Sequence, residues 1–304
     1  MFFGRLEHTV AFRFVVKLCA PAGLSLNLLN VYTAACETHL FQNSSSPTSF
    51  TNAVPLFDTH AHLSSAQLES QLDKVLQNAA ERNVQGITSI GTNLASSKAC
   101  LELAKTHSQI YAAVGIHPND CHNASDAQWA EIQTLAQHER VVAIGETGLD
   151  RYWDTVPIEL QRIWFAKHIE LSFDTQKPLV IHMRDCDADI LEMLNEHQRD
   201  GQIIGILHSF AGQWSTAERA LELGMYISFA GMVTFKKSHE LREIAAKIPD
   251  DRILIETDSP YLSPHPHRST RPNQPALIRH TADCWQTFAA SRQKRLMRFL
   301  PPMR

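Results

Sequence analysis

Excess positive charge is missing from this chain of 304 residues: 28 Lys and Arg stand against 32 Asp and Glu, a net charge of −4 with histidine neutral. A broad electrostatic attraction to nucleic acid is thereby excluded, so any contact with phosphate must come from local features. Cysteine is sparse and scattered. Cys19, Cys36, Cys100, Cys121, Cys186 and Cys284 form no C-x-x-C pair and no disulfide-dense framework, which points to a reducing, cytoplasmic setting. Long unbroken apolar runs are absent as well. Arg5, Arg13, Lys17, Asn27 and Asn30 interrupt Met1–Val31 too often for a membrane-spanning helix. With 12 Gly, 14 Pro, 44% hydrophobic and 20% charged residues, the composition excludes collagen, coiled coil and wholesale disorder. What the chain does have in surplus is histidine, with 16 residues.

The length allows one large domain or two ordinary ones. Residues 1–54 differ from the rest and read as an N-terminal extension ending in the polar linker Gln42–Asn52. A secretory signal, with small residues at Thr33, Ala34 and Ala35 as a cleavage site, is the competing reading of that segment. From Pro55 to about residue 290 the pattern is that of one domain, and 291–304 is a basic tail containing Lys294, Arg295 and Arg298.

Eight short apolar or β-branched runs in the domain read as strands: Leu56–Thr59, Gly86–Gly91, Ile110–Gly115, Val141–Glu146, Leu179–His182, Ile203–His208, Met225–Ala230 and Arg252–Asp258. Amphipathic segments lie between them. Leu68, Leu72, Val75, Leu76 and Ala79 place one apolar stripe on a helix. Ser215 with Glu218 reads as a capping box, and Pro249 as a stop for the helix after the seventh strand. Eight βα units predict a closed (β/α)8 TIM barrel, an α/β fold. An open doubly wound sheet is the alternative; the lack of a glycine-rich dinucleotide fingerprint after the first strand weighs against it.

The chemistry-bearing side chains recur at strand ends. His60 and His62 follow the first strand, with Asp58 just before them. Glu146 ends the fourth, His182 the fifth, His208 the sixth and Asp258 the eighth. In a barrel those ends form one face, so residues some 200 positions apart converge. His60 and His62, two apart in extended backbone, point the same way. An isolated H-x-H pair is more often an ordinary core or surface pair; recurrence on five strands is what points to one centre. Four imidazoles and two carboxylates are too many for one tetrahedral ion and suffice for two divalent ions, of the Zn, Mn, Ni or Mg type. A binuclear site is predicted. His107, His138, His168, His197 and His239 fall on helix patterns and are expected to be solvated.

The segments LFDTHAHL (Leu56–Leu63), GIHPND (Gly115–Asp120), IGETGLDRY (Ile144–Tyr152), KPLVIHMRD (Lys177–Asp185), ILHSFAG (Ile206–Gly212) and ILIETDSPYL (Ile253–Leu262) closely resemble the TatD family of metal-dependent hydrolases. The resemblance covers about Pro55 to His280. It implies an amidohydrolase-like (β/α)8 barrel with deoxyribonuclease activity, often 3′-to-5′ exonuclease activity, so that DNA, as single strands or 3′ ends, is the expected partner. By that resemblance His60, His62 and Asp258 would hold one metal, Glu146 would bridge, and His182 with His208 would hold the second. Asp258 would also serve as general base, alongside Glu146 as the second residue of the reaction centre.

His117, Arg184, Arg268 and Arg271 are candidate phosphate contacts, and Phe210 and Tyr261 candidate base-stacking rings. No membrane and no obligate protein partner are implied. The loop His265–Ala276 departs from the family, with Ser269 and Thr270 for a Gly-Lys pair and Gln274 for Glu. The final SRQKRLMRFLPPMR is expected not to resemble the family. Two other functions stay open: an ester or amide hydrolase, such as a deacylase of mischarged tRNA, on the same residues, and a non-catalytic barrel scaffold.

Overall fold

The computed structural model describes residues 55–153 and 155–287. The extension over 1–54 and the tail over 291–304 lie outside the described residues. Eight strands form a single parallel sheet in the order β1 to β8: β1 (Leu56–Ala61), β2 (Val84–Ile90), β3 (Ile110–Val114), β4 (Val141–Asp150), β5 (Leu179–Arg184), β6 (Gly205–Leu207), β7 (Tyr226–Phe229) and β8 (Ile253–Ile255). Backbone bonds from Asp258 N to His60 O and from His62 N to Ser259 O, at 2.9 and 2.7 Å, tie the end of β8 to β1. The sheet closes, and the expected (β/α)8 barrel is the fold.

Helices α1 (Ala66–Glu69), α2 (Leu72–Glu81), α3 (Leu94–Thr106), α4 (Asp126–Ala136), α5 (Ile158–Thr175), α6 (Asp187–His197), α7 (Trp214–Glu222) and α8 (His239–Ala245) fill the crossovers. The apolar stripe from Leu68 to Ala79 is divided between α1 and α2. Two capping boxes start helices where Asn93 accepts from Ser96 N and Ser125 accepts from Gln128 N. The one expected at Ser215 is not formed. Helix α7 begins two residues earlier, after Gln213, which leaves Ser215 inside the first turn with no cap to make. Helix α8 ends at Ala245, short of Pro249.

The main core lies between strands and helices. Two smaller clusters consist of strand residues alone. The first, with Phe57, Ile206, Tyr226 and Leu254, fills the barrel axis, because it joins strands that are not neighbours: Phe57 on β1 meets Tyr111 on β3 with ring centroids 5.8 Å apart. The second runs along β2 to β5. Higher up, Thr59 Oγ1 lies 3.3 Å from Ser228 Oγ on β7, also across the axis. The interior is thus packed solid below the C-terminal mouth, and only that mouth is left for chemistry.

Candidate metal centre

β4 does not stop at Glu146. It continues to Asp150, and its register against β5 shifts between Ile144 and Thr147. Gly145 and Gly148, with φ of 136° and 132°, make this possible. A Cβ at either position would drive into the backbone of β5, at Val180 O or His182 O, and L-residues avoid that φ. The irregular strand turns the Glu146 carboxylate into the mouth, where it is buried.

The two oxygens of Glu146 face different partners. Oε2 lies 3.4 Å from His60 Nε2 and 3.6 Å from His62 Nε2. Oε1 lies 3.0 Å from His182 Nδ1, 2.9 Å from His208 Nε2 and 3.5 Å from His117 Nε2. Asp258 Oδ1, on a residue with φ 53° just past β8, completes the first group at 3.4 Å from His62 Nε2 and 3.7 Å from His60 Nε2. All six residues expected from the sequence therefore meet in one place. His60 with His62 and Asp258, His60 with Glu146 and His208, and His117 with Glu146 and His182 each could hold an ion, with donor atoms within 4.8 Å of one another.

The neighbours of each ring decide which nitrogen is free. His62 Nδ1 faces the Ile90 carbonyl at 3.2 Å, His182 Nε2 faces Asp150 Oδ2 at 3.0 Å, and His208 Nδ1 faces Glu256 Oε1 at 3.3 Å. Each of these acceptors takes the ring N–H, so the opposite nitrogen points its lone pair into the mouth. His60 Nε2 and His62 Nε2 come within 3.2 Å, and His208 Nε2 within 3.5 Å of His182 Nδ1. Lone pairs converging on a buried carboxylate repel unless positive charge lies among them. The donor set therefore fits divalent cations of the nitrogen- and oxygen-binding kind.

His117 differs from the other rings. Asn119 N donates to its Nδ1 at 3.1 Å, so the proton of the neutral ring sits on Nε2 and is presented to the mouth. Burial pulls its pKa down to about 3 and keeps it neutral. It is a donor in place of a ligand.

The titration behaviour expresses the same demand for positive charge. Burial would raise the Glu146 pKa, but the charge of His208 and the hydrogen bonds from His182 and His208 hold it well below the carboxylate range. Burial would lower His208, yet Glu146 and Glu256 lift it well above the usual imidazole value. His62 is raised, against burial, by Asp258 and Glu146, and His182 likewise by Asp150 and Glu146. His60 is lowered by burial and by His208. Asp258 is lowered, against burial, by His62 and His60.

A supporting layer went unread in the sequence. Asp150 holds His182 through Oδ2, which also accepts from Asn119 Nδ2 at 3.1 Å. Burial works against it, but these bonds and the Trp153 N–H bring its pKa down to about 2. Gln161 on α5 fixes the Asp150 backbone, accepting from Asp150 N at 2.8 Å and donating to Asp150 O at 3.0 Å. Glu256 holds His208 and accepts from Ser228 Oγ. His168, expected to be solvated, is buried, and its Nε2 accepts from Ile116 N at 3.0 Å beside His117. Asp58 does not face the cluster. Its carboxylate accepts from Thr257 N and Thr257 Oγ1 at 2.9 and 2.6 Å and clamps β1 to the end of β8.

The remaining candidates divide. Arg184 ends β5 with its guanidinium over the Tyr152 ring, 3.7 Å from the centroid. Arg268 stacks on Phe235 at 3.8 Å, and Arg271 donates to Ser263 Oγ and the carbonyls of Arg268 and Thr270. The described contacts of both lie within or beside their own loop. Gln274 accepts from Asn78 Nδ2 at 2.9 Å and so ties that loop to α2. Phe210 cannot stack on a base: it is buried against Phe229. Tyr261 is 53% exposed, with its ring 6.0 Å from that of His62. The four described cysteines are unpaired, and among the described residues no helix is long and apolar enough to cross a membrane.

Comparison with known proteins bears on the family and the fold. A sequence model described as TatD related DNase matches residues 57–298, continuing past His280, where the resemblance read from the sequence stops, and into the final stretch expected not to resemble the family. The uncharacterized metal-dependent hydrolase YabD of Bacillus subtilis is 38% identical over 228 residues, covering 75% of this chain and 89% of its own. A Klebsiella pneumoniae protein named 3′-5′ ssDNA/RNA exonuclease TatD is 34% identical over 230 residues, covering 74% of this chain and 87% of its own. Among solved structures, the TatD homologue YjjV of Escherichia coli superposes with a TM-score of 0.71 at 27% identity, over 79% of this chain and 95% of that one.

Proposed function

The chain belongs to the TatD-related DNase family of metal-dependent hydrolases, and from that premise we propose that it hydrolyses phosphodiester bonds of DNA, on single strands or at 3′ ends. The observation that carries this reading is the divided Glu146 carboxylate, with one oxygen toward His60 and His62 and the other toward His182 and His208. His60, His62 and Asp258 would hold one divalent cation, His182 and His208 a second, and Glu146 would bridge them. Mg, Mn, Zn and Ni all suit such a mixed set. Such a pair supplies Lewis acidity toward phosphoryl oxygen, a more acidic water, and positive charge against that developing on the phosphoryl group.

The chain's own residues do the rest. Asp258, with its lowered pKa, is ionised at neutral pH, and Oδ1 faces the mouth, where it takes the proton of an attacking water. His117 Nε2–H donates to a nonbridging phosphate oxygen, and Arg184 adds a charge-assisted donor at the rim. Local positive charge of this kind offsets the overall −4. The name of the Klebsiella pneumoniae relative supports a single-stranded nucleic acid as substrate. The unpaired cysteines suit a reducing, cytoplasmic setting.

The test is incubation of the pure protein with labelled single-stranded and duplex DNA in Mg, Mn, Zn or Ni, or in EDTA, alongside Glu146→Gln. We expect cleavage that needs metal and falls at least about a thousandfold in the variant, or about 4 kcal/mol of transition-state stabilisation. Cleavage that persists in EDTA would sink the metal mechanism. Release of amino acid from mischarged tRNA, with DNA left intact, would assign the same residues to deacylation.

A further inference from the structure

Tyr152 and Trp153 are each 52% exposed, in the segment that follows β4. Their rings meet edge to face with centroids 5.0 Å apart. Arg184 Cζ lies 3.7 Å from the Tyr152 centroid and 5.8 Å from that of Trp153. Neighbouring exposed aromatic rings are costly to leave in water and mark contact surfaces. No carboxylate among the described residues pairs with Arg184, so its guanidinium is stacked by its plane while its N–H edge stays available.

The position of this group is set by the metal centre. Tyr152 N and Trp153 N donate to Asp150 Oδ1 at 2.8 and 3.0 Å, and the other oxygen of Asp150 faces His182 at 3.0 Å. One carboxylate therefore holds both the aromatic pair and a cluster imidazole. On the neighbouring strand Arg184 pairs in register with Asp150, two residues beyond His182. Two residues of extended strand place it on the same side as His182 and about 7 Å along, within the reach of one nucleotide.

We infer that Tyr152 and Trp153 form a stacking platform for an unpaired nucleobase, with Arg184 holding the phosphate beside it, so that the enzyme selects a single strand over a duplex. This rests on the phosphodiesterase reading above and names the residues that would hold the base of the strand it cleaves. A base in a duplex has both faces covered by its own neighbours, whereas an unpaired base offers a π-face to an aromatic ring whatever its sequence. Two rings with a stacked guanidinium suit a flat base better than a sugar or a bare phosphate.

The experiment is a cycle between the platform and the base. The full chain and its Tyr152→Leu/Trp153→Leu variant are compared on single-stranded oligonucleotides carrying an abasic site at each of the last few 3′ positions in turn. A blunt duplex is included. KM and kcat are read by product analysis. Binding is read separately by the anisotropy of a labelled, cleavage-resistant phosphorothioate strand. At one position, removing the base should raise KM and Kd about tenfold in the unaltered protein, and removing the rings should do the same, with kcat little changed.

Because both changes delete one contact, their combination should cost no more than either alone. Trp153→Phe should recover most of the affinity. Additive losses, or no loss in the variant, would overturn the platform and leave the hydrolase intact. An unaltered protein that cleaves no phosphodiester with any metal removes the phosphodiesterase reading, and the platform with it. Since both rings are half-exposed, the leucine variant should melt as the parent does; if it does not, Trp153→Leu alone carries the cycle.

Discussion

Asp150 Oδ2 lies 3.0 Å from Nε2 of His182, and the ring's other nitrogen faces Glu146. A carboxylate in that position fixes both the tautomer and the tilt of the imidazole and makes its inward nitrogen more basic. With its pKa drawn down to about 2, Asp150 keeps its charge throughout the useful pH range.

Asp150→Asn should therefore lower affinity for the cation that His182 and His208 would hold by about 10- to 100-fold, and leave that proposed for His60, His62 and Asp258 nearly unchanged. Calorimetric titration of the metal-free protein would resolve two binding steps, of which only one weakens. Two unchanged steps would show that His182 needs no such support.

Removal of metal should destabilise the fold. At a free metal concentration of about 100 times Kd, binding adds about 2.7 kcal/mol to the native state. For a domain of this size that is a rise in Tm of about 5 to 10 °C. Melting curves in EDTA and across a metal series measure it, and His60→Ala should flatten the series. A Tm indifferent to metal in the unaltered chain would mean that the cluster holds no ion.

Much of this centre was legible because strand parity and barrel topology are strong constraints. His60 and His62 are two apart, and the C-terminal ends of a parallel barrel must share one face. Glu146 was placed at a strand end, whereas β4 runs on to Asp150. The conformation of Gly145 and Gly148 that permits this is not written in hydrophobic periodicity. Asp150 could have been found: Glu146, Gly148 and Asp150 share one parity. His168 was misread because histidine is as common on solvated helix faces as in cores. Its stripe, with Phe165, Ile169 and Ser172 at helical spacing, is nevertheless a buried one. Glu256 offered no such signal, since its role depends on the distance to His208 across two strands.

Asp58→Ala should loosen the barrel closure, and among the cluster residues it removes only the bond to the backbone N–H of His60. The carboxylate accepts from Thr257 N, Thr257 Oγ1 and His60 N in a fully buried position. Deleting it strands buried donors at about 1 to 3 kcal/mol each, partly relieved by rearrangement, so a net loss of about 2 to 4 kcal/mol is expected. Urea denaturation monitored by circular dichroism would measure it. A loss below about 1 kcal/mol would place the closure in the backbone bonds between β8 and β1 alone.

His168 should make the fold acid-sensitive in a definite window. It is fully buried, donating from Nδ1 to the Trp164 carbonyl at 2.7 Å and accepting at Nε2 from Ile116 N. Burial brings its pKa from 6.5 down to about 4; the Trp164 carbonyl opposes this, and the neighbouring charge of Lys167 adds to it. Between those two pH values the unfolded chain binds a proton that the folded chain refuses, so stability rises with pH across the window. The contribution is present in full above about 6.5 and is lost as pH falls toward 4, by about 3 kcal/mol in all. Protonation would also place an N–H against that of Ile116 and push on the loop that carries His117. His168→Gln can make both hydrogen bonds without titrating. Its urea stability at neutral pH should stay within about 2 kcal/mol of the parent, while its decline from pH 6.5 to 4 should be shallower by about 3 kcal/mol. The cluster histidines titrate in both proteins, so only the difference between the two curves reports His168. Parallel curves would show that His168 takes up its proton at the same pH in the folded chain as in the unfolded one.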